Sequence, residues 1–144
     1  MPVVVKDWSD RAEVVAAVQH DLEVLQQAPA EFWQNLEVVM AVMQQKHFLG
    51  HPLKYAPDEL KNEREVVMAA VQHDGQALRH ASAELRKDRE VVMAAVKHDG
   101  WALWCASDEL ENDREVVNAA VQQKGRALKY ASAERWRRFQ RAAQ

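Results

Sequence analysis

Apolar residues in this chain come in short blocks at helical spacing. In the stretch from Asp88, the side chains of Val91, Val92, Ala95 and Val96 fall on one face of a helix. Asp88 is a good N-cap, and Glu90 stands in the first turn, where a carboxylate meets the positive end of the helix dipole. The pattern predicts a helix of about three turns. Gly100 is expected to end it, because glycine accepts the left-handed conformation that closes a helix. A second, shorter helix follows, with Ala102, Leu103 and Ala106 on one face. The next column holds Ser107, and Pro29 and Pro57 occupy it elsewhere. Proline is tolerated only in a first helical turn and serine is a preferred cap, so a new turn begins there and carries Glu109 and Leu110 towards the next long helix.

The block recurs along the chain. Starts at Asp10, Asn35, Glu63, Asp88 and Asp113 give spacings of 25, 28, 25 and 25 residues, so five units fill nearly the whole sequence. The longer spacing contains three extra residues, His47, Phe48 and Leu49, just before Gly50, which aligns with Gly75, Gly100 and Gly125. An insertion at a turn leaves the packed faces in register. Four columns are filled identically in every unit: Val14, Val39, Val67, Val92, Val117; Leu25, Leu53, Leu78, Leu103, Leu128; Ala28, Ala56, Ala81, Ala106, Ala131; and Glu31, Glu59, Glu84, Glu109, Glu134. A unit this short cannot bury its apolar stripe alone, and about three stacked units are needed for a stable array.

The expected fold is therefore all-α: a short-unit α-solenoid, a right-handed helical repeat array of five units of about 25 residues, each with a long and a short helix. It forms one domain over 1–144, with a basic C-terminal capping helix over about 133–144. The ends depart from the pattern as capping units should. Glu13 takes the column of Val38, Val66, Val91 and Val116, and Arg135 replaces an apolar residue before the tail RWRRFQRAAQ.

The chain has 144 residues, 48% of them hydrophobic and 28% charged, with a net charge of −3, a composition suited to one small array. No apolar run approaches the ~20 residues needed to span a bilayer, and the start MPVVVKDW lacks the pattern of a secretory signal. The expectation is a soluble protein of the cytoplasm or of an organelle, the chloroplast included, with any transit peptide already removed. The single cysteine, Cys105, forbids an internal disulfide. Its column is filled elsewhere by Gln27, Tyr55, His80 and Tyr130, which marks a variable groove position and not a reactive thiol.

The repeating pattern, DREVVMAAVKxDGxALxxASxEL in its clearest form, resembles the repeat known as domain of unknown function 4116, from about Asp10 to Arg135. The first unit, with Leu22 at the glycine position, and the second, with its insertion, match less well. The resemblance implies a tandem helical unit, common in algae and other protists and present in some bacterial effectors, with no established reaction. It carries no catalytic residue over to this chain.

Three His-Asp pairs, His20-Asp21, His73-Asp74 and His98-Asp99, are the clearest metal-ligand candidates. Equivalent positions on packed helices lie about 8–10 Å apart, whereas zinc holds its ligands at about 2.0–2.2 Å. The same column contains Gln45 and Gln123, so these histidines are expected to interact with the helix dipole, and no metal or other cofactor is expected. The pairs Arg64-Glu65, Arg89-Glu90 and Arg114-Glu115 form a charge ladder whose pairing runs between neighbouring units. No Ser-His-Asp arrangement or glycine-rich phosphate loop is present, which argues against an enzyme.

The variable columns carry the functional expectation. One reads His51, Gln76, Trp101, Arg126, and another contains Tyr55, His80, Cys105 and Tyr130. Trp101 and Trp104, with Tyr130 of the next unit, are expected to form an aromatic patch of the kind enriched in binding hot spots. Charge is divided unevenly: Ala120–Gln144 carries seven basic residues and one Glu, a net of +6, and the preceding residues carry 12 basic and 21 acidic, a net of −9. The chain is expected to be a non-enzymatic scaffold that binds other proteins as a peripheral subunit of a larger assembly, in an algal organelle or photosynthetic complex on the family's distribution. Its candidate contacts are Trp101, Trp104, Tyr130, Tyr55, Arg126, Trp136, Arg137, Arg138 and Phe139. The alternative is nucleic-acid or anionic-surface binding through the basic end, in which Trp136 and Phe139 lie among Arg135, Arg137, Arg138 and Arg141. The acidic body disfavours nucleic acid.

Overall fold

The structure, a computed structural model, describes residues 3–45 and 50–123. It is all-helical, with no β-strand among the described residues. The basic C-terminal helix and residues Arg126 and Tyr130 lie outside those described.

Each unit opens with a long α-helix: Arg11–His20, Leu36–Met43, Arg64–His73, Arg89–His98 and Arg114–Gln123. The expected caps form. Asp88 accepts the backbone N–H of Glu90 at 3.0 Å and of Val91 at 3.4 Å, and Asp113 accepts those of Glu115 and Val116. The shorter helix is of the 3-10 type, as Leu22–Gln27, Pro52–Tyr55, Gly75–His80 and Gly100–Cys105. An aspartate sets its start. Asp21, Asp74 and Asp99 hold extended backbone and accept the N–H two residues on, from Glu23, Gln76 and Trp101, each at 3.0 Å. This local bond competes with continuation of the long helix and stops it. The third turn begins at the proline or serine column: Pro29 and Pro57 precede Ala30–Gln34 and Asp58–Lys61, and Ser107 caps Asp108–Glu111 through the Leu110 N–H.

Each long helix packs on the long helix of the next unit, and each 3-10 helix packs on the next 3-10 helix. One apolar core runs through all five units. The invariant valines are at most 1% exposed, as are Leu25, Leu53, Leu78 and Leu103. Burying each such side chain stabilises the fold by about 1.5–3 kcal/mol.

A seam between units explains the glycine at position 75. Gly75 does not adopt positive φ, and among the described residues only Gly50 does. Its role is close approach: a Cβ at Gly75 would lie 2.5 Å from the Ala95 carbonyl oxygen and 3.0 Å from the Asp99 Cβ of the next unit. The left-handed closure expected of Gly100 is likewise absent; the long helix ends at His98, and extended Asp99 follows it. The last helical residue of the fourth and of the fifth unit then reaches back. The Gly75 N–H donates to His98 Nδ1 at 3.1 Å, and the Gly100 N–H donates to Gln123 Oε1 at 2.7 Å. Gln123 Nε2 also donates to the His98 carbonyl at 3.0 Å.

Two further inter-unit links lie at the edges. The Ser82 and Ser107 N–H groups donate to the Lys61 and Arg86 carbonyls at 2.8 and 3.0 Å. The arginine ladder pairs across units as expected: Arg64 with Asp88 and Glu90, and Arg89 with Asp113 and Glu115. At the first unit, Glu13 accepts the N–H groups of Lys6 and Asp7, while Val5 is buried and Trp8 packs on Phe32 at a 5.2 Å centroid distance. The N-terminal segment thus covers the end of the core.

His51 departs from expectation. It occupies a column taken as exposed, yet it is 2% exposed, with Nε2 donating to the Met43 carbonyl and Nδ1 accepting the Leu53 N–H, each at 3.0 Å. Proline at the next position and this ring cap the 3-10 helix of the second unit together. Burial pulls the His51 pKa from 6.5 down to about 4, against the attraction of Asp74.

Two predictions follow from these seams. Gly75→Ala gains about 0.4–1 kcal/mol from reduced chain entropy but forces a backbone clash costing about 1–3 kcal/mol, so urea unfolding followed by circular dichroism is expected to show net destabilisation. Unchanged or higher stability would show that the units do not meet this closely. For His51, the folded pKa lies below the unfolded one, so the unfolded chain takes up the proton first as pH falls. Its contribution is complete above about pH 6.5 and is lost towards pH 4. That loss is on the order of 2–3 kcal/mol, and His51→Asn is expected to flatten the pH dependence of unfolding in that window relative to wild type.

Candidate functional site

A groove opens where the 3-10 helices of the third and fourth units meet. It has a volume of about 550 Å³ and is lined by Gln76, Arg79, Arg86, Trp101, Trp104 and Cys105. Local structure places each wall. Asp99 accepts the Trp101 N–H at 3.0 Å and, through Oδ2, the Gln76 side-chain amide at 3.1 Å, so one carboxylate fixes both sides of the seam. Leu78 and Leu103 anchor the two 3-10 helices in the core, which turns Trp101 outward to 40% exposure. Arg86 comes from the short turn Leu85–Lys87, whose Leu85 is buried.

Arginine predominates in the groove lining, with Asp99 and Glu111 close enough to act on Cys105. Its lining holds two arginines and no carboxylate. Arg86 Nε is buried without a hydrogen-bond partner, and among the described residues neither Arg79 nor Arg86 makes an ion pair, in contrast to Arg64 and Arg89. Burial raises the Cys105 pKa, with Arg79 and Arg86 opposing, so the thiol is a weak nucleophile at neutral pH. Among the described residues there is no group of three or more His, Cys, Asp or Glu that could hold a metal ion. The His-Asp pairs are used otherwise, the aspartates as caps and His98 as an acceptor across a seam.

Trp101 and Trp104 thus both line one groove. Tyr55 does not join them: it is half-buried against the core of the second unit, with Lys54 Nζ 5.6 Å from its ring. Tyr130, Arg126, Trp136, Arg137, Arg138 and Phe139 lie outside the described residues. Arg79 and Arg86 were not singled out by the sequence. Their columns carry a signal all the same, reading Gln26, Lys54, Arg79, Trp104 and Trp33, Lys61, Arg86, Glu111, as variable as the tryptophan columns.

No helix among the described residues is long and apolar enough to cross a membrane. No curated protein and no solved structure matches the chain. A family model does, at residues 46–86 and 88–137, the second match covering the two most regular units. The chain thus belongs to the family described as domain of unknown function DUF4116.

Proposed function

We propose that this chain is a non-enzymatic helical-repeat scaffold, built as a short-unit α-solenoid, that binds other proteins as an accessory subunit of a larger assembly. The observation that carries this reading is the groove at the seam of the third and fourth units, where Trp101 stands 40% exposed beside Trp104, which is partly buried against the core. Large aromatic side chains in a partly desolvated groove are the residues that dominate protein-protein affinity. The groove offers little to chemistry, since its only nucleophile is a thiol held protonated by burial. The seam bonds support a binding role by fixing the walls before a partner arrives, which reduces the ordering cost of association.

Purified under mild conditions from its native cells, the protein is expected to migrate in a reproducible assembly larger than its own 16.5 kDa. Trp101→Ala is expected to change folding stability by less than about 1 kcal/mol while weakening association by roughly thirtyfold, the loss of about 2 kcal/mol at an aromatic anchor. A lone 16.5 kDa species, or an assembly indifferent to this substitution, would contradict the reading. Steep loss of association with salt would instead favour nucleic acid.

A further inference from the structure

The groove's chemistry also narrows the partner, on the footing that it is a protein-binding groove at all. Its two arginines have no carboxylate within the lining and no ion pair among the described residues. The chain up to residue 119, these two arginines included, is acidic, at a net −9 from 12 basic and 21 acidic residues. A positive groove on an acidic body selects a partner that brings few negative charges, closely spaced, beside something apolar. Nucleic acid brings one charge for every ~1.7 Å of duplex axis and would meet the acidic body on both sides of the groove. A short peptide segment avoids that repulsion. Arg86 sharpens the argument, because its partly buried guanidinium, with an unpartnered Nε, sits in a medium where pairing with a carboxylate is stronger than in water. Trp101, held by the Asp99 cap, presents an exposed indole on the same groove.

We propose that the groove between the third and fourth units receives an acidic segment of a partner protein, with a carboxylate at Arg79 and Arg86 and a neighbouring apolar or aromatic side chain against Trp101. Arg86 would then be a recognition residue that contributes little to folding, since among the described residues its Nε has no hydrogen-bond partner and its guanidinium no ion pair.

A displayed library of random peptides, selected on the whole protein and counter-selected on Trp101→Ala, tests this directly. The expected binders are enriched in Asp or Glu next to an aromatic or aliphatic residue. Their affinity is expected to fall at least about tenfold in Arg86→Met, a loss consistent with one hydrogen-bonded charge pair. Arg86→Met, which keeps much of the apolar stem, is expected to melt at or above the wild-type temperature, which separates recognition from a structural role. Binders that require Trp101 but show no acidic enrichment and no loss in Arg79→Gln or Arg86→Met would overturn the acidic-partner inference while leaving the groove as a protein site. Displacement of the binders by a near-stoichiometric thymidine oligonucleotide would assign the groove to nucleic acid and overturn it as well. Failure to select any Trp101-dependent peptide would overturn both readings.

Discussion

The close packing of successive units, tightest at Gly75 and hydrogen-bonded at Gly75 and Gly100, governs this fold. At Gly75 the backbone of one 3-10 helix runs so near the C-terminal end of the following long helix that even a methyl group would collide with the Ala95 carbonyl. The same approach brings the glycine N–H within reach of the side chain that ends the next long helix, His98 on Gly75 and Gln123 on Gly100. Sterics and hydrogen bonding therefore act at one point: a larger residue would push the units apart and orphan a largely buried N–H at the same time. The neighbouring aspartates complete the seam by capping the 3-10 helices that the glycines begin.

The remaining links follow from that spacing. With the units held this close, the valine and leucine columns meet their equivalents and form a continuous core. At the opposite end of the long helices, Arg64 and Arg89 reach the N-cap aspartate and first-turn glutamate of the next unit. These pairs are solvent-exposed and screened, so they fix register more than they add stability. The apolar columns supply the energy, the glycines set the separation and the charges set the alignment.

How much was legible in the sequence depended on whether a constraint acts within a unit or between units. The valine and leucine faces, the aspartate caps and the turn at Pro29, Pro57, Ser82 and Ser107 are local patterns, and the structure places them as expected. The recurring glycine was visible too, but left-handed backbone accounts for it only at Gly50, whereas at Gly75 the obstructing atoms belong to Ala95 and Asp99 of a different unit. His51 was misplaced for a similar reason: only its bonds to the Met43 carbonyl and the Leu53 N–H account for a buried ring in a column where Gln76 and Trp101 are not buried. The groove was half legible. Trp101 and Trp104 stand out as aromatics in variable columns, whereas Arg79 and Arg86 gain meaning only once two units are placed side by side.

The central claim, that the seams at Gly75 and Gly100 set the close separation of neighbouring units, is tested most directly by native-state hydrogen exchange at these two amides. Both are predicted to exchange at rates near that of global unfolding, because each donates across a seam. His98→Ala should selectively accelerate the Gly75 amide and leave Gly100, bonded to Gln123, comparatively protected. Fast exchange of Gly75 in the unsubstituted protein, or equal exchange with and without the His98 side chain, would contradict the account.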